Sequence, residues 1–186
     1  MKSAYIFHGT DCTPNDFWYP WLKTQLEMQG YFVTVPHFPD INHEPIETFL
    51  NKVTAAHLAS FNGQTVLIGH SAGCPLILSL LEQIDFPVKK AVLVAGYARQ
   101  IREEKDPVLQ DSYDWEKIKE NADDFILFNS DNDPWGCDDK AGRYIIENLN
   151  KGKLIVMKGE GHMGSMKYNQ PYKEFPKLLE SILDTR

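Results

Sequence analysis

The sequence has little that would commit it to a metal, a membrane or a nucleic acid. Its 186 residues include only three cysteines, Cys12, Cys74 and Cys137. They are widely separated and form no C-x-x-C pair, which predicts reduced thiols in place of a disulfide framework or a zinc site. No apolar run approaches the ~20 residues that span a bilayer, and positive charge is in deficit, 19 Lys and Arg against 26 Asp and Glu. A net charge of −7 argues against non-specific nucleic-acid binding and against an anionic membrane surface. The six histidines show no metal-ligand spacing, and no Walker or dinucleotide glycine pattern occurs. Asp131-Asn132-Asp133 opens like a calcium loop. Its fifth position is Trp135 and its twelfth Gly142, however, so no oxygen cage can form. The reading therefore expects no metal, no cofactor, no nucleic acid and no membrane. The opening Met1-Lys2-Ser3-Ala4-Tyr5-Ile6-Phe7-His8 is too short and polar for a signal peptide, so a cytoplasmic protein of one domain, 1–186, is expected.

What is present is an alternation of apolar runs and helical patterns. Strands are predicted at about 3–8, 31–36, 64–69, 89–95, 125–130 and 153–157. Ala91-Val92-Leu93-Val94-Ala95 and Phe125-Ile126-Leu127-Phe128 are nearly continuous hydrophobic runs, as strands covered on both faces require. Helices are predicted from Thr13-Pro14-Asn15-Asp16 toward Met28, with Pro20 as a kink or restart and Gly30 as a stop. Others follow Pro45, run from the glycine pair near residue 73 through about Gln83, cover 113–121, start at Asp138 or Asp139, and follow Pro171. This order specifies an α/β class: a doubly wound, mostly parallel six-stranded sheet with helices on both faces. The charged, aperiodic segment 97–114 is either a short lid or a solvated connection.

Gly69-His70-Ser71-Ala72-Gly73 sits between the run Thr65-Val66-Leu67-Ile68 and a helical pattern through Cys74, Ile77, Leu78 and Leu81. A G-x-S-x-G between strand and helix is the nucleophile elbow of α/β-hydrolases, where glycines two residues either side admit a close strand–helix approach. Active groups of an open α/β sheet collect at the C-terminal strand ends. That rule nominates Asp133, in Ser130-Asp131-Asn132-Asp133-Pro134, and His162, in Gly159-Glu160-Gly161-His162-Met163. Ser, then Asp, then His is the chain order of α/β-hydrolases. A serine hydroxyl needs a base to take its proton, an imidazole titrating at about 6.5 can do so, and a carboxylate must orient that imidazole. Asp131 is the alternative acid. The backbone N–H groups of Ala72, directly after Ser71, and Thr10, after His8-Gly9, are the expected oxyanion donors. His8 itself reads as a buried, hydrogen-bonded residue. Trp135, Met163, Trp18 and Tyr97 are the apolar groups expected to line a substrate pocket.

The chain resembles the small serine hydrolases typified by bacterial YdeN-type proteins and the vertebrate retinoblastoma-binding serine hydrolase. The resemblance is carried by His8-Gly9, the Asn15 to Leu22 stretch with its Trp-Tyr-Pro-Trp, and Gly69-His70-Ser71-Ala72-Gly73-Cys74-Pro75. It continues in Leu93-Val94-Ala95-Gly96-Tyr97-Ala98, the Tyr113-Asp114-Trp115 to Ile118 segment, Ser130 to Pro134, and Gly161-His162. It implies a trimmed α/β-hydrolase fold with a minimal lid and the triad Ser71, Asp133 and His162. Two departures are visible: Gly136-Cys137 replaces the Val-Pro that often closes the acid loop, and Met163-Gly164 stands where an aromatic is frequent. An L-x-C-x-E retinoblastoma-binding motif is absent, so no protein partner is carried over. The resulting expectation is a carboxylesterase-like serine hydrolase acting on a small-molecule acyl substrate. A non-catalytic interaction module on the same shell, or an acyltransferase, remain the alternatives.

Overall fold

The computed structural model describes residues 1–184. Six strands, β1 (Ser3–Phe7), β2 (Phe32–Thr34), β3 (Thr65–His70), β4 (Lys90–Val94), β5 (Phe125–Ser130) and β6 (Lys153–Met157), form one sheet in the order β2-β1-β3-β4-β5-β6. Every pairing is parallel, which sharpens the expected "mostly parallel" arrangement. β1, β3, β4 and β5 are buried along their whole length, whereas β6 at one edge is half-exposed and Phe32 of β2 at the other is exposed. The near-continuous hydrophobic runs thus occupy the interior of the sheet, where both faces are covered.

Six helices connect and flank the strands: α1 (Tyr19–Met28), α2 (Ile46–His57), α3 (Gly73–Leu81), α4 (Trp115–Glu120), α5 (Asp139–Leu149) and α6 (Pro176–Leu183). The chain leaves β1 toward β2, then crosses back past β1 to β3 and continues outward to β6. With right-handed crossovers that reversal puts helices on opposite faces. Accordingly α1 packs with α6, and α2, α3, α4 and α5 pack in a row. α3 is apolar all round and every one of its residues is buried, which marks the elbow helix as the centre of its layer. The reversal also makes the gap between β1 and β3 the topological switch point, where open α/β sheets bind their ligands.

Two helix boundaries differ from the expected ones. The first helix begins at Tyr19, not at Thr13, because Phe17 takes a left-handed backbone (φ 49°) and Asp16 turns its carboxylate onto the Thr13 N–H at 2.6 Å. Pro20 therefore lies in the opening turn of the helix, where its missing N–H costs nothing, and marks the start of the helix in place of a kink. Gly30 (φ 81°) stops α1 as expected. The last helix begins at Pro176, five residues after Pro171, since Tyr172 (φ 36°) and the extended Phe175 interrupt the chain. Phe175, Leu178 and Ile182 are buried, and Leu179 is half-buried. Lys90, buried at the start of β4, ties down the end of α6 by donating to the carbonyls of Ser181 (3.0 Å) and Ile182 (3.2 Å). A cation at a helix C-terminus is the favoured arrangement. Among the described residues no helix is long and apolar enough to cross a membrane.

Candidate active site

Ser71 follows β3 with φ at 51°, a left-handed conformation that costs a non-glycine residue about 1–3 kcal/mol. Two contacts hold it there: the Ser71 N–H donates to the Val94 carbonyl at 2.9 Å, and the Ser71 carbonyl accepts from the Cys74 N–H at 2.9 Å. The flanking glycines are sterically obligatory. A Cβ on Gly73 would lie 2.2 Å from the Phe7 carbonyl oxygen, and one on Gly69 would lie 2.7 Å from the Gly73 carbonyl oxygen. The strand, the turn and the helix therefore touch backbone to backbone, and the serine side chain is pushed out at the strand end.

His162 and Asp133 meet across the ends of β6 and β5. Asp133 Oδ2 accepts from His162 Nδ1 at 2.7 Å, and both side chains are almost fully removed from solvent. A carboxylate only accepts, so Nδ1 carries the proton and the lone pair is at Nε2. Nε2 has no partner among the described residues. The other Asp133 oxygen accepts from the Trp135 N–H at 2.8 Å, which fixes the carboxylate plane. Asp131, by contrast, is exposed and accepts from the Gly159 N–H at 2.8 Å, so it braces the neighbouring turn without approaching the imidazole.

Ser71, His162, Gly9 and Thr10 line one cleft of about 640 Å³. The loop after β1 lies against the serine; a Cβ on Gly9 would stand 3.1 Å from Ser71 Cβ. The N–H groups of Thr10 and Ala72 have no hydrogen-bond acceptor among the described residues; Thr10 lines the cleft, and Ala72 is buried beside Ser71. His8 is fully buried and satisfied, with Nδ1 donating to the Gly9 carbonyl at 2.8 Å and Nε2 accepting from the Phe38 N–H at 2.9 Å.

Of the four apolar residues expected at the pocket, only Trp135 lines the cleft. Trp18, Met163 and Tyr97 are fully buried beneath it. Trp18 is enclosed by Tyr19, His70 and Phe175 and donates from its indole nitrogen to the Met163 carbonyl at 3.0 Å. Met163 turns inward on a left-handed backbone (φ 52°), and Tyr97 lies under the Arg102 guanidinium. The cleft is instead more polar than the sequence suggested. Its far wall is Arg102, Glu104, Lys105, Asp106 and Pro107, from the segment that showed no periodicity. Asn42 and Lys167 extend the polar lining.

One grouping among the described residues has metal-ligand proximity: Asp133, Cys137 and His162, whose donor atoms lie within 4.8 Å of one another. Its chemistry suits an acid–base pair better. The Asp133 and His162 donors already face each other through a proton, and burial pushes the Cys137 thiol up, away from the thiolate a metal needs.

A parallel sheet carrying a strained serine between its third strand and the following helix, with an acid after the fifth strand and a histidine after the sixth, is the architecture of the α/β-hydrolases. Residues 4–181 match the serine hydrolase family, and the chain belongs to it. Hydrolase YdeN of Bacillus subtilis (strain 168) is 30% identical over 125 residues, spanning 65% of each chain and so just under two thirds of YdeN. Serine hydrolase RBBP9 of Rattus norvegicus is 26% identical over 174 residues, covering 89% of this chain and 86% of that one. The crystal structure of the ydeN gene product from B. subtilis superposes with a TM-score of 0.89 at 24% identity, covering 98% of this chain and 97% of the other.

Proposed function

We propose that this hydrolase cleaves a small carboxylic ester, or a thioester or amide of similar size, through an acyl-enzyme on Ser71. The observation that carries the reading is the buried Asp133–His162 bond, which leaves His162 Nε2 as a free base in the cleft that Ser71 lines. In the forward step the Ser71 Oγ–H proton passes to His162 Nε2 as Oγ adds to the substrate carbonyl carbon. The carbonyl oxygen becomes an oxyanion, for which the Thr10 and Ala72 N–H groups are the donors in reach of the serine; one such donor elsewhere is worth about 2.7–4 kcal/mol. The imidazolium, stabilised by Asp133, returns its proton to the leaving oxygen, sulfur or nitrogen as the carbonyl–leaving-group bond breaks. Water then repeats the sequence at the acyl carbon and releases the acid.

A cleft of about 640 Å³ is of the size that takes a small organic molecule, which favours catalysis over the interaction-module alternative. A fluorophosphonate probe should label the protein stoichiometrically, and Ser71→Ala should lose both labelling and hydrolysis of short p-nitrophenyl esters. Undiminished labelling of the Ser71→Ala protein refutes the assignment. A folded protein that neither takes the probe nor cleaves any chain length returns the reading to a non-catalytic shell.

A further inference from the structure

The residue before the serine, His70, and the first residue of α1, Tyr19, have no part in the chemistry proposed above, yet both are buried at the centre of the site. Their hydrogen bonds have a definite direction. His70 Nε2 faces the His162 carbonyl oxygen at 2.9 Å, and a carbonyl only accepts, so Nε2 bears the proton. His70 Nδ1, 2.6 Å from the Tyr19 hydroxyl, must then accept from it. The Tyr19 oxygen in turn accepts from the Gly9 N–H at 3.4 Å. The relay runs from the loop before Thr10, through Tyr19 and His70, to the backbone of the general base. Burial, and then the nearby His162, lower the His70 pKa to about 3, so the ring stays neutral at every pH where an esterase works. That matters because the two imidazole rings lie 4.9 Å apart, and a second positive charge there would oppose the imidazolium of His162.

The loop that carries His162 contains no helix or strand, and its backbone is instead fixed by side chains. Gly161 N–H donates to Asn132 Oδ1 (2.8 Å), His162 N–H to Gln170 Oε1 (2.9 Å), and the carbonyls of His162 and Met163 accept from His70 and Trp18. Only the His70 link also reaches the oxyanion loop. Resting on the assignment of Ser71 and His162 made above, we infer that Tyr19 and His70 are positioning residues that hold the His162 backbone and the Gly9–Thr10 loop in a single geometry for acyl transfer.

The test is the steady-state kinetics of Tyr19→Phe, His70→Leu and His70→Gln with a short p-nitrophenyl ester, with melting temperature measured for each. Tyr19→Phe removes one oxygen from a ring that otherwise packs unchanged, and should lower kcat about tenfold with KM within about twofold, because small misplacements of catalytic groups cost rate and not binding. His70→Leu should lower kcat about 100-fold, and His70→Gln, whose amide can still donate to the His162 carbonyl, should recover much of that loss. Imidazole 15N resonances provide a readout that stability does not move. The wild type should show His70 as the pure Nε2–H tautomer, and Tyr19→Phe should shift Nδ1 toward the unbonded value. Wild-type kcat in folded Tyr19→Phe, or a His70→Gln protein no better than His70→Leu at equal melting temperature, overturns the relay. Should His70→Leu fail to fold, Tyr19→Phe decides alone. Ser71→Ala, run alongside, separates the two inferences: if it stays active the nucleophile assignment falls, and if it is dead while Tyr19→Phe is normal only the relay falls.

Discussion

The two walls of the cleft are built on different principles. The wall that carries Ser71, His162 and Gly9 is backed by buried aromatic side chains, and the polar atoms of Trp18, Tyr19 and His70 tie its loops to one another. The opposite wall, residues 99–107, is charged and largely exposed, and several of its hydrogen bonds converge on one buried carboxylate. Asp106 Oδ1 accepts from Asn42 Nδ2 (2.9 Å), Arg102 Nη2 (2.5 Å) and the Tyr97 hydroxyl (3.5 Å). Its other oxygen is buried without a partner among the described residues. Arg102 also donates to the Trp135 carbonyl at 3.1 Å, so this wall leans on the turn that holds Asp133. Several independent fastenings make the first wall a fixed frame for chemistry. One hub makes the second a wall whose composition can change what is admitted without disturbing the frame.

That contrast can be broken from either side. The largest effect should come from the fixed wall: Asp133→Asn keeps the size of the side chain but no longer holds the Nδ1–H tautomer, and should lower kcat by about 10⁴-fold with little change in melting temperature. If Asp131→Asn has that effect instead, the acid is misassigned. On the hub side, Arg102→Ala should raise KM about tenfold, equivalent to about 1.4 kcal/mol, while leaving kcat within about threefold. Losing kcat instead would show that both walls serve the chemistry and would erase the distinction. The smallest effect is one of pH on stability. The folded pKa of His70 lies below its unfolded value, chiefly through burial, so the unfolded chain binds the extra proton between about pH 6.5 and about pH 3. His70 thus contributes stability that is complete above about pH 6.5 and lost as the pH falls, with a slope of at most about 1.4 kcal/mol per pH unit. His8, also lowered mainly by burial, acts in the same sense. Urea titrations at pH 7, 6 and 5 should show this decline, and His70→Gln should flatten it; an unchanged slope in that variant assigns the decline to other groups.

The same contrast explains what could be read from the sequence. Strands β3, β4 and β5 were legible because burial on both faces demands unbroken apolar runs, and Ser71, Asp133 and His162 because each follows its own strand. Of the two acids after β5, it is Asp133 and not Asp131 whose carboxylate lies on the imidazole. The start of α1 differs from the sequence expectation because Thr13 and Asp16 satisfy a capping pattern locally, whereas Phe17 adopts a backbone that no local rule favours. The relay from Tyr19 to His70 joins residues 51 apart in sequence, so it became visible only when the fold brought α1 and β3 together. The 99–107 wall was illegible for another reason. Its residues are tied by the buried Asp106 carboxylate and the Gln100 side chain, not by a repeating face, and such links leave no period to read.

The contact between Gly73 and the Phe7 carbonyl has a consequence for how the protein should fail on heating. Between the end of β1 and the elbow the contact is backbone against backbone, so the spacing from the elbow to Phe7 is a dimension of the sheet itself. It cannot soften before the sheet does. Movement of the elbow away from β1 should therefore coincide in temperature with loss of the fold.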